Sequence, residues 1–478
     1  MPRRLNSYEH PGERLVRRLS YWLIAALGVV LAGCATAPQI IIPAESSAGA
    51  ATPVRILGRH GALTERQTQQ LLRQITHDDA QADALQRHLI VEEAVANSPL
   101  VSGNSTQVLR DGPESFAAMF EVISSAKTQI DLEYYIFEDV LQDGEQLSDL
   151  LVQERQQGVA VNVIYDSLGS ISTPTAFFSK LAAAGVQLLE WNPVNPFRSQ
   201  MHRSLNQRDH RKLLVVDGTT AIVGGVNLSK TYQKSMRTKS EAEHAGGTAI
   251  WRDLDLQIEG AAAEQLQNVF FEHWREQGGP MTSPAEPPAS ASTEGDEVVR
   301  IISSSARGLA ANYYVTLLSA MRSAEHSIWL TAGYFVPTHQ ETESLLHAAR
   351  RGVDVRILLP SQSDSGAALA VQRSHYTRLL GAGVHLYEVK ADVLHSKTVV
   401  VDGAWSVIGS SNFDNRSAMF NDELDAVVLG EHTGEKLHQI FEDGQGSAEE
   451  IELSAWRRQR SVPERFREWF WRLWEDLL

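Results

Sequence analysis

The feature that most constrains the fold is an internal repeat. His210-Arg-Lys212-Leu-Leu-Val-Val-Asp217-Gly218 is answered 185 residues later by His395-Ser-Lys397-Thr-Val-Val-Val-Asp402-Gly403. Each copy carries an Asn seventeen residues past its His, Asn227 and Asn412. With 16 His, 43 basic and 59 acidic residues among 478, composition alone yields about 0.2 copies of a His-x-basic-x4-acid pattern, so one copy is weak evidence and two in matching frames are strong. Further pairs keep the same order: Ser125–Phe137 with Ser323–Phe335, Gln157–Ile164 with Arg351–Leu358, Ala184–Leu188 with Ala382–Leu386, and Leu254–Gly260 with Leu424–Gly430. A chain written this way builds one structural unit twice.

Each half alternates apolar, β-branched runs with helical periodicity, such as Phe116–Ser125 ahead of Ile130–Phe137. That alternation predicts an α/β fold with a largely buried sheet. Each His-x-Lys stands at the start of a Val/Leu-rich run, so its polar residues emerge at a strand end while the run enters the core. Thr282–Gly295 is rich in Pro, Ser, Ala and Glu and reads as a linker. The expected organisation is therefore a leader over 1–33, a spacer and helical region over 34–104, a first lobe over 105–281, a linker over 282–297, a second lobe over 298–445 and a terminal helix over 446–478. No chemistry is evident in residues 35–104.

Hydrophobic residues make up 43% of the chain and charged ones 21%, which suits a large globular body. The net charge of −16 disfavours a broad nucleic-acid footprint. At the N-terminus Arg14, Arg17 and Arg18 precede the apolar Tyr21–Gly33, which has the dimensions of a secretory signal and is short for a membrane span. Leu31-Ala32-Gly33-Cys34 resembles the bacterial lipobox, in which the Cys is lipidated, and Cys34 is the chain's one cysteine. An exported chain with one thiol forms no internal disulfide, whereas a lipid anchor needs a single Cys at that place. An uncleaved anchor helix is the alternative; both readings tether the body to an envelope membrane, on the periplasmic or extracytoplasmic side. Ala35 after the Cys resembles the sorting signal of outer-membrane lipoproteins.

Two imidazoles suffice for a double displacement at phosphorus, one attacking and one moving protons. Lys212 and Lys397, two residues from their histidines on the same side of an extended strand, supply positive charge for a phosphoryl transition state. Asn227 and Asn412 offer neutral donors to the same oxygens. Asp253 and Glu423 occupy equivalent frames before the paired Leu-Asp strands and are placed to hold a His ring in its working tautomer. Asp217 and Asp402 complete the motifs and belong to the candidate catalytic set, although their position suits bracing the Lys or the local turn better than touching phosphate. No metal or other cofactor is required, since Lys is a poor ligand and neither motif carries a zinc-type donor set.

At these residues the chain resembles the phospholipase D superfamily and, within it, the bacterial cardiolipin synthases. The resemblance runs from about Ser98 to the C-terminus and rests on Asp131–Phe137, Asn162–Ser167, Glu190–Pro196, Asp209–Asp217, Gly224–Asn227, Trp251–Gly260 and Leu394–Ser417. It implies two α/β sandwich lobes sharing one active site at their interface. It further implies transfer of a phosphatidyl group from one phosphatidylglycerol to another through phosphohistidine, releasing glycerol, with His210 as nucleophile and His395 as acid and base. The lipobox departs from relatives with membrane-spanning N-terminal segments. A phospholipase D hydrolase shares every one of these residues and differs in accepting water. A nuclease is disfavoured by charge and anchoring, and a non-enzymatic lipid-binding module by the completeness of both half-sites.

Three further segments bear on the membrane or the cleft. Ser461-Val-Pro-Glu464 resembles a helix start, and Phe466, Trp469, Phe470, Leu473, Trp474 and Leu477 recur at helical spacing beside Arg465, Arg467 and Arg472. Such a stripe suits an interfacial helix or packs on the protein's own core. Tyr134, Tyr135, Tyr334 and Phe335 either line a lipid cleft or fill the core, and His202 and His375 read as structural or solvent-facing. The insertion Asn192–Asp209 is long enough to cover the site.

Overall fold

The computed structural model describes residues 54–58, 61–96, 98–195, 206–233, 251–280, 295–305, 311–390 and 392–477. The leader with Cys34, His202, and most of both the linker and the insertion after Asn192 lie outside the described residues.

The repeat in the sequence is a repeat of sheets. In the first lobe β1 (Leu100–Arg110), β2 (Gln129–Tyr134), β3 (Ala160–Asp166), β4 (Gln187–Trp191), β5 (Lys212–Val216), β6 (Thr220–Gly224) and β7 (Leu254–Glu259) form a sheet in the order β4-β3-β2-β5-β6-β7-β1. In the second lobe β8 (Glu297–Ser304), β9 (Ser327–Ala332), β10 (Asp354–Pro360), β11 (His385–Val389), β12 (Lys397–Val401), β13 (Trp405–Gly409) and β14 (Asn421–Leu429) take the equivalent order β11-β10-β9-β12-β13-β14-β8. In each, β4-β3-β2 or β11-β10-β9 run parallel and the remaining neighbours antiparallel. The Val- and Leu-rich runs are buried along their whole length, as expected of strands covered on both faces.

The lobes join in two ways. β1 pairs antiparallel with β7 through Ser105–Arg110 and, nearer its start, with β8. The facing sides of the two sheets then share one apolar core, in which Leu213, Val215 and Val223 meet Val299, Ile301, Val400 and Val428. The helices α3 (Asp111–Ser124), α4 (Leu147–Gln156), α5 (Thr175–Ala183) and α6 (Ala261–Glu276) belong to the first lobe. Their counterparts are α7 (Asn312–Ser323), α8 (His339–Arg351), α9 (Gly366–Gly381) and α10 (Glu431–Gly446).

The helical part of the segment read as spacer and helical region packs into the second lobe. α1 (Glu65–Gln74) and α2 (Asp79–Val95) pack on α7 and the second-lobe core through Leu72, Leu85 and Leu89. Glu92 is fully buried, 3.1 Å from Arg300 Nη1, and accepts a hydrogen bond from Trp405 Nε1 at 3.1 Å. Hydrophobic periodicity is nearly absent from α2 because its inner face carries Gln81, His88 and Glu92, which are satisfied by partners over 200 residues away.

At the other end α11 (Leu453–Gln459) leads to α12 (Val462–Arg472). Ser461 and Glu464 form a reciprocal capping box with Pro463 in the first turn. This helix packs on α9 through Trp471 and the buried Glu468, which pairs with Arg460. The apolar stripe faces away from the core: Phe466 is 62% exposed, Trp469 56% and Leu473 63%. No helix among the described residues is long and apolar enough to cross a membrane.

Candidate active site

Both histidines stand one residue outside a strand, where the chain leaves the core. Arg208-Asp209 pairs in parallel with Asn421-Asp422 of the other lobe, and Val393-Leu394 pairs with Trp251-Arg252. The peptide N–H of His210 donates to the carbonyl of Asp422 at 2.9 Å, and that of His395 to the carbonyl of Arg252 at 2.8 Å. Each histidine is thus delivered beside the residue that follows the opposite paired segment, Glu423 after Asn421-Asp422 and Asp253 after Trp251-Arg252. His210 Nδ1 lies 3.0 Å from Glu423 Oε2, and His395 Nδ1 lies 2.6 Å from Asp253 Oδ2. The two carboxylates are swapped between lobes, and in both rings Nε2 is the nitrogen that Nδ1 pairing leaves for substrate.

Both rings line one cavity of about 380 Å³, together with Asn227, Asn412, Tyr135, Tyr334, Trp251, Arg208 and Arg416. Asn227 Oδ1 accepts from the Ile136 N–H at 3.1 Å, whereas the buried Asn412 Oδ1 has no hydrogen-bond partner among the described residues. Of the four tyrosine and phenylalanine candidates, Tyr135 and Tyr334 face the cavity, with ring centroids 5.4 and 5.7 Å from those of His210 and His395. Tyr134 and Phe335 are core residues. His375 is buried in α9, 3.4 Å from Glu475, and does not line the cavity.

The third member of each motif is corrected by the geometry. Asp217 and Asp402 sit at the far end of β5 and β12 with φ of 53°, each followed by a Gly of positive φ, the left-handed pair that a tight hairpin turn demands. Asp217 accepts the amides of Lys127, Thr128 and Gln129, and Asp402 those of Glu325, His326 and Ser327, at 2.7–2.9 Å. Neither lines the cavity; both lock the entry of the neighbouring strand.

Burial raises a carboxylate, yet the charge and hydrogen bond of His210, with help from Lys212 and Ser410, bring Glu423 down to about 2. Asp253 is likewise lowered against its burial by Lys397 and His395. Burial lowers Lys212 to about 7, the Glu423 charge opposing and Lys397 adding to the effect. Burial and Lys397 bring His395 to about 4, and burial also lowers His210. Burial thus makes positive charge on the imidazoles and lysines costly, while the carboxylates they face are favoured in the ionised form.

The half-sites differ in ways the motifs do not announce. Glu423 accepts hydrogen bonds from Ser410 at 2.5 Å, Ser417 at 2.8 Å and Asn421 at 3.1 Å. Asp253, shorter by one methylene, lies against Gly225, where a Cβ would fall 2.0 Å from Oδ1. The Tyr232 hydroxyl stands 3.4 Å from Asp253 Oδ2 and 3.2 Å from His395 Nδ1. Tyr232 and Ser417 each lie five residues past the motif Asn, so extending the repeat alignment by one turn finds them.

Beneath the site Glu133, Asp209 and His273 bring metal-type donor atoms within 4.8 Å of one another. They do not suit a cation. His273 Nδ1 is 2.7 Å from Glu133, Trp191 Nε1 is 2.9 Å from its Nε2, and Arg211 Nη1 is 3.3 Å from the same Glu133 oxygen. Although burial opposes it, the Glu133 charge raises His273 to about 9, and with Nδ1 on Glu133 and Nε2 accepting from Trp191 neither ring nitrogen is left for a metal.

Two equivalent lobes, each giving a His and an Asn to one cavity, a buried Lys two residues past that His, and a carboxylate to the other lobe's His, define a two-histidine phosphodiester site of the phospholipase D type. Residues 119–243 and 317–444 match the family described as cardiolipin synthase, PLD-like domain. The chain is 32% identical over 397 residues to cardiolipin synthase 1 of Bacillus anthracis, covering 81% of this chain and 75% of that one. It is 35% identical over 352 residues to the cardiolipin synthase of Geobacillus thermodenitrificans, covering 73% and 67%. The crystal structure of phosphatidylserine synthase from Haemophilus influenzae shares the fold, with a TM-score of 0.59 at 13% identity over 82% of this chain and all of that one. The chain belongs to the cardiolipin synthase family of the phospholipase D superfamily.

Proposed function

We propose that the protein transfers a phosphatidyl group between two phosphatidylglycerol molecules, forming cardiolipin and releasing glycerol. The observation that carries this reading is that both imidazoles line one cavity, each held through Nδ1 by the other lobe's carboxylate. His210 Nε2 attacks phosphorus, the phosphorus–oxygen bond to the glycerol headgroup breaks, and the leaving oxygen takes a proton from His395. The terminal hydroxyl of a second phosphatidylglycerol then returns a proton to His395 as it attacks the phosphohistidine, forming the new phosphodiester and freeing His210. Burial first, and then the charges of Lys397 and Lys212, hold His395 near 4; the incoming phosphodiester anion offsets the lysine charges, so substrate binding itself raises the acid toward its working range. Lys212, Lys397, Asn227 and Asn412 stabilise the charge on the non-bridging oxygens.

The assignment of His210 as nucleophile follows its fuller support, since Glu423 has three further donors and holds the ring through two bond-forming steps. His395, touched by Tyr232 and Lys397, suits the proton-shuttling role. The protein acts at the bacterial cell envelope as a lipoprotein anchored through Cys34 after removal of residues 1–33, with α12 resting on the membrane surface. The test is incubation of purified protein with phosphatidylglycerol vesicles and lipid mass spectrometry. Cardiolipin with stoichiometric glycerol is expected; phosphatidic acid as the main product defeats the synthase reading in favour of hydrolysis.

A further inference from the structure

The exposed large apolar side chains among the described residues are Leu141, Leu168, Ile171, Val462, Phe466, Trp469, Phe470 and Leu473. Single exposed apolar residues are ordinary, but all except Leu141 fall in two patches. One is the outward face of α12, where positions 462, 466, 469, 470 and 473 fall on a single stripe. The other is the turn that follows β3, with Leu168 at 42% and Ile171 at 66% exposure.

The two patches occupy equivalent rims of the same cavity. β3 and β10 are counterparts in the repeat, and the turn after β10 contributes Asp364 and Ser365 to the cavity wall. α9, which follows that turn, is the helix on which α12 packs. Trp471 of α12 touches the cluster of Val336, Ala368 and Val371, two of which line the cavity, and Asn415 Nδ2 donates to the carbonyl of Asp476 at 2.6 Å. On the first-lobe rim, Asp166 accepts the amides of Leu168 and Gly169 at 2.8 and 2.9 Å and pairs with the cavity residue Arg208 at 3.3 Å. Ser170 Oγ donates to the carbonyl of cavity residue Tyr135, and Gly169 lies so close that a Cβ there would sit 2.2 Å from that carbonyl. The turn's backbone is held by buried polar bonds while, among the described residues, its two apolar tips stand exposed. Looseness does not explain their exposure.

We infer that the turn Ser167–Thr173 is a second membrane-docking element, which with α12 seats the cavity mouth on an anionic phospholipid bilayer. This rests on the reading of the substrate as a bilayer lipid. Charge supports that occupant. In a chain of net charge −16, residues 457–472 carry six Arg against Glu464 and Glu468, an arrangement that complements an acidic headgroup layer and repels little of it. One contact lets the body rotate about α12. Two, on opposite rims, hold the cavity open toward the lipid.

The test uses the full chain with Cys34→Ala, which removes both the acyl anchor and the native thiol. An environment-sensitive fluorophore is placed on Ile171→Cys, Phe470→Cys or, as a control, Asp79→Cys, whose side chain is 87% exposed at the opposite end of the second-lobe sheet. With phosphatidylglycerol vesicles the labels at 171 and 470 shift blue and are quenched by brominated acyl chains, and the label at 79 does neither. A label at 171 that stays in water while 470 buries overturns the inference, as does burial of 171 that needs only higher protein concentration, which marks a contact with a second copy. In parallel, Leu168→Ser with Ile171→Ser weakens vesicle partition by about tenfold or more and leaves turnover of monomeric short-chain phosphatidylglycerol unchanged. An equal loss on the monomeric lipid places the turn in the site instead and sinks the docking role. If the labels bury but the wild-type protein makes no product from either lipid form, the catalytic reading falls and the docking inference stands.

Discussion

Replacing Glu423 by Gln keeps the shape of the acid and removes its charge. In the folded protein Glu423 is brought from 4.5 to about 2 by His210, Lys212 and Ser410 acting against its burial, and that difference corresponds to roughly 3 kcal/mol of favourable interaction with the ionised form. Because the folded value lies below the unfolded one, this stability is present in full above pH 4.5 and is lost as pH falls toward 2. The Glu423→Gln protein therefore melts well below wild type at pH 7, and the gap narrows as both are titrated from pH 5 to pH 2. The catalytic effect has a separate cause. A Gln amide donates to His210 Nδ1 and so selects the tautomer with hydrogen on Nε2, the nitrogen required to attack. Loss of turnover on the order of 10³-fold is expected, by analogy with removal of charge from a triad acid. Single-turnover trapping with labelled phosphatidylglycerol reads the step directly. A variant that forms phosphoenzyme within about tenfold of the wild-type rate refutes the claim that Glu423 sets the nucleophile's tautomer.

Other outcomes follow from the same geometry. His395→Ala traps label on the protein and His210→Ala does not; label on the His210→Ala protein reverses the division of roles. Lys212 is active as a cation and burial lowers it to about 7, so kcat/KM falls as pH rises through about 7 while the kcat limb, set by the anion-loaded site, lies higher; a profile flat to pH 9 contradicts this. Glu92→Gln removes the fully buried one of the two carboxylates, Glu92 and Glu93, that pair with Arg300 and costs about 2 kcal/mol, seen as a lower urea midpoint for the whole chain, whereas an unchanged midpoint would show that α2 is peripheral. Cys34→Ala abolishes incorporation of labelled palmitate in cells; persistent labelling rules out that residue as the anchor.

Asp217 and Asp402, grouped with the catalytic candidates by their motif but better suited to bracing a turn, do brace one. Their fixed distance from His and Lys is set by the length of a strand and the turn that closes it, so spacing alone cannot separate a turn-locking acid from a catalytic one. Glu423 and Asp253 were legible for the converse reason. They fall in equivalent frames of a repeat, and each pairs with the other lobe's histidine.

The sequence alone determined the duplicated α/β unit, the strand and turn that carry each His and Lys, and the membership of both asparagines, because these depend on periodicity and on residues close along the chain. Tertiary structure decided which acid serves which histidine, the contribution of Tyr232 and Ser417, the place of α1 and α2 in the second lobe, and the outward face of α12. Those facts depend on contacts between residues tens to hundreds of positions apart. Whether an amphipathic stripe meets a core or faces outward is fixed by the surface across from it, which no local pattern specifies.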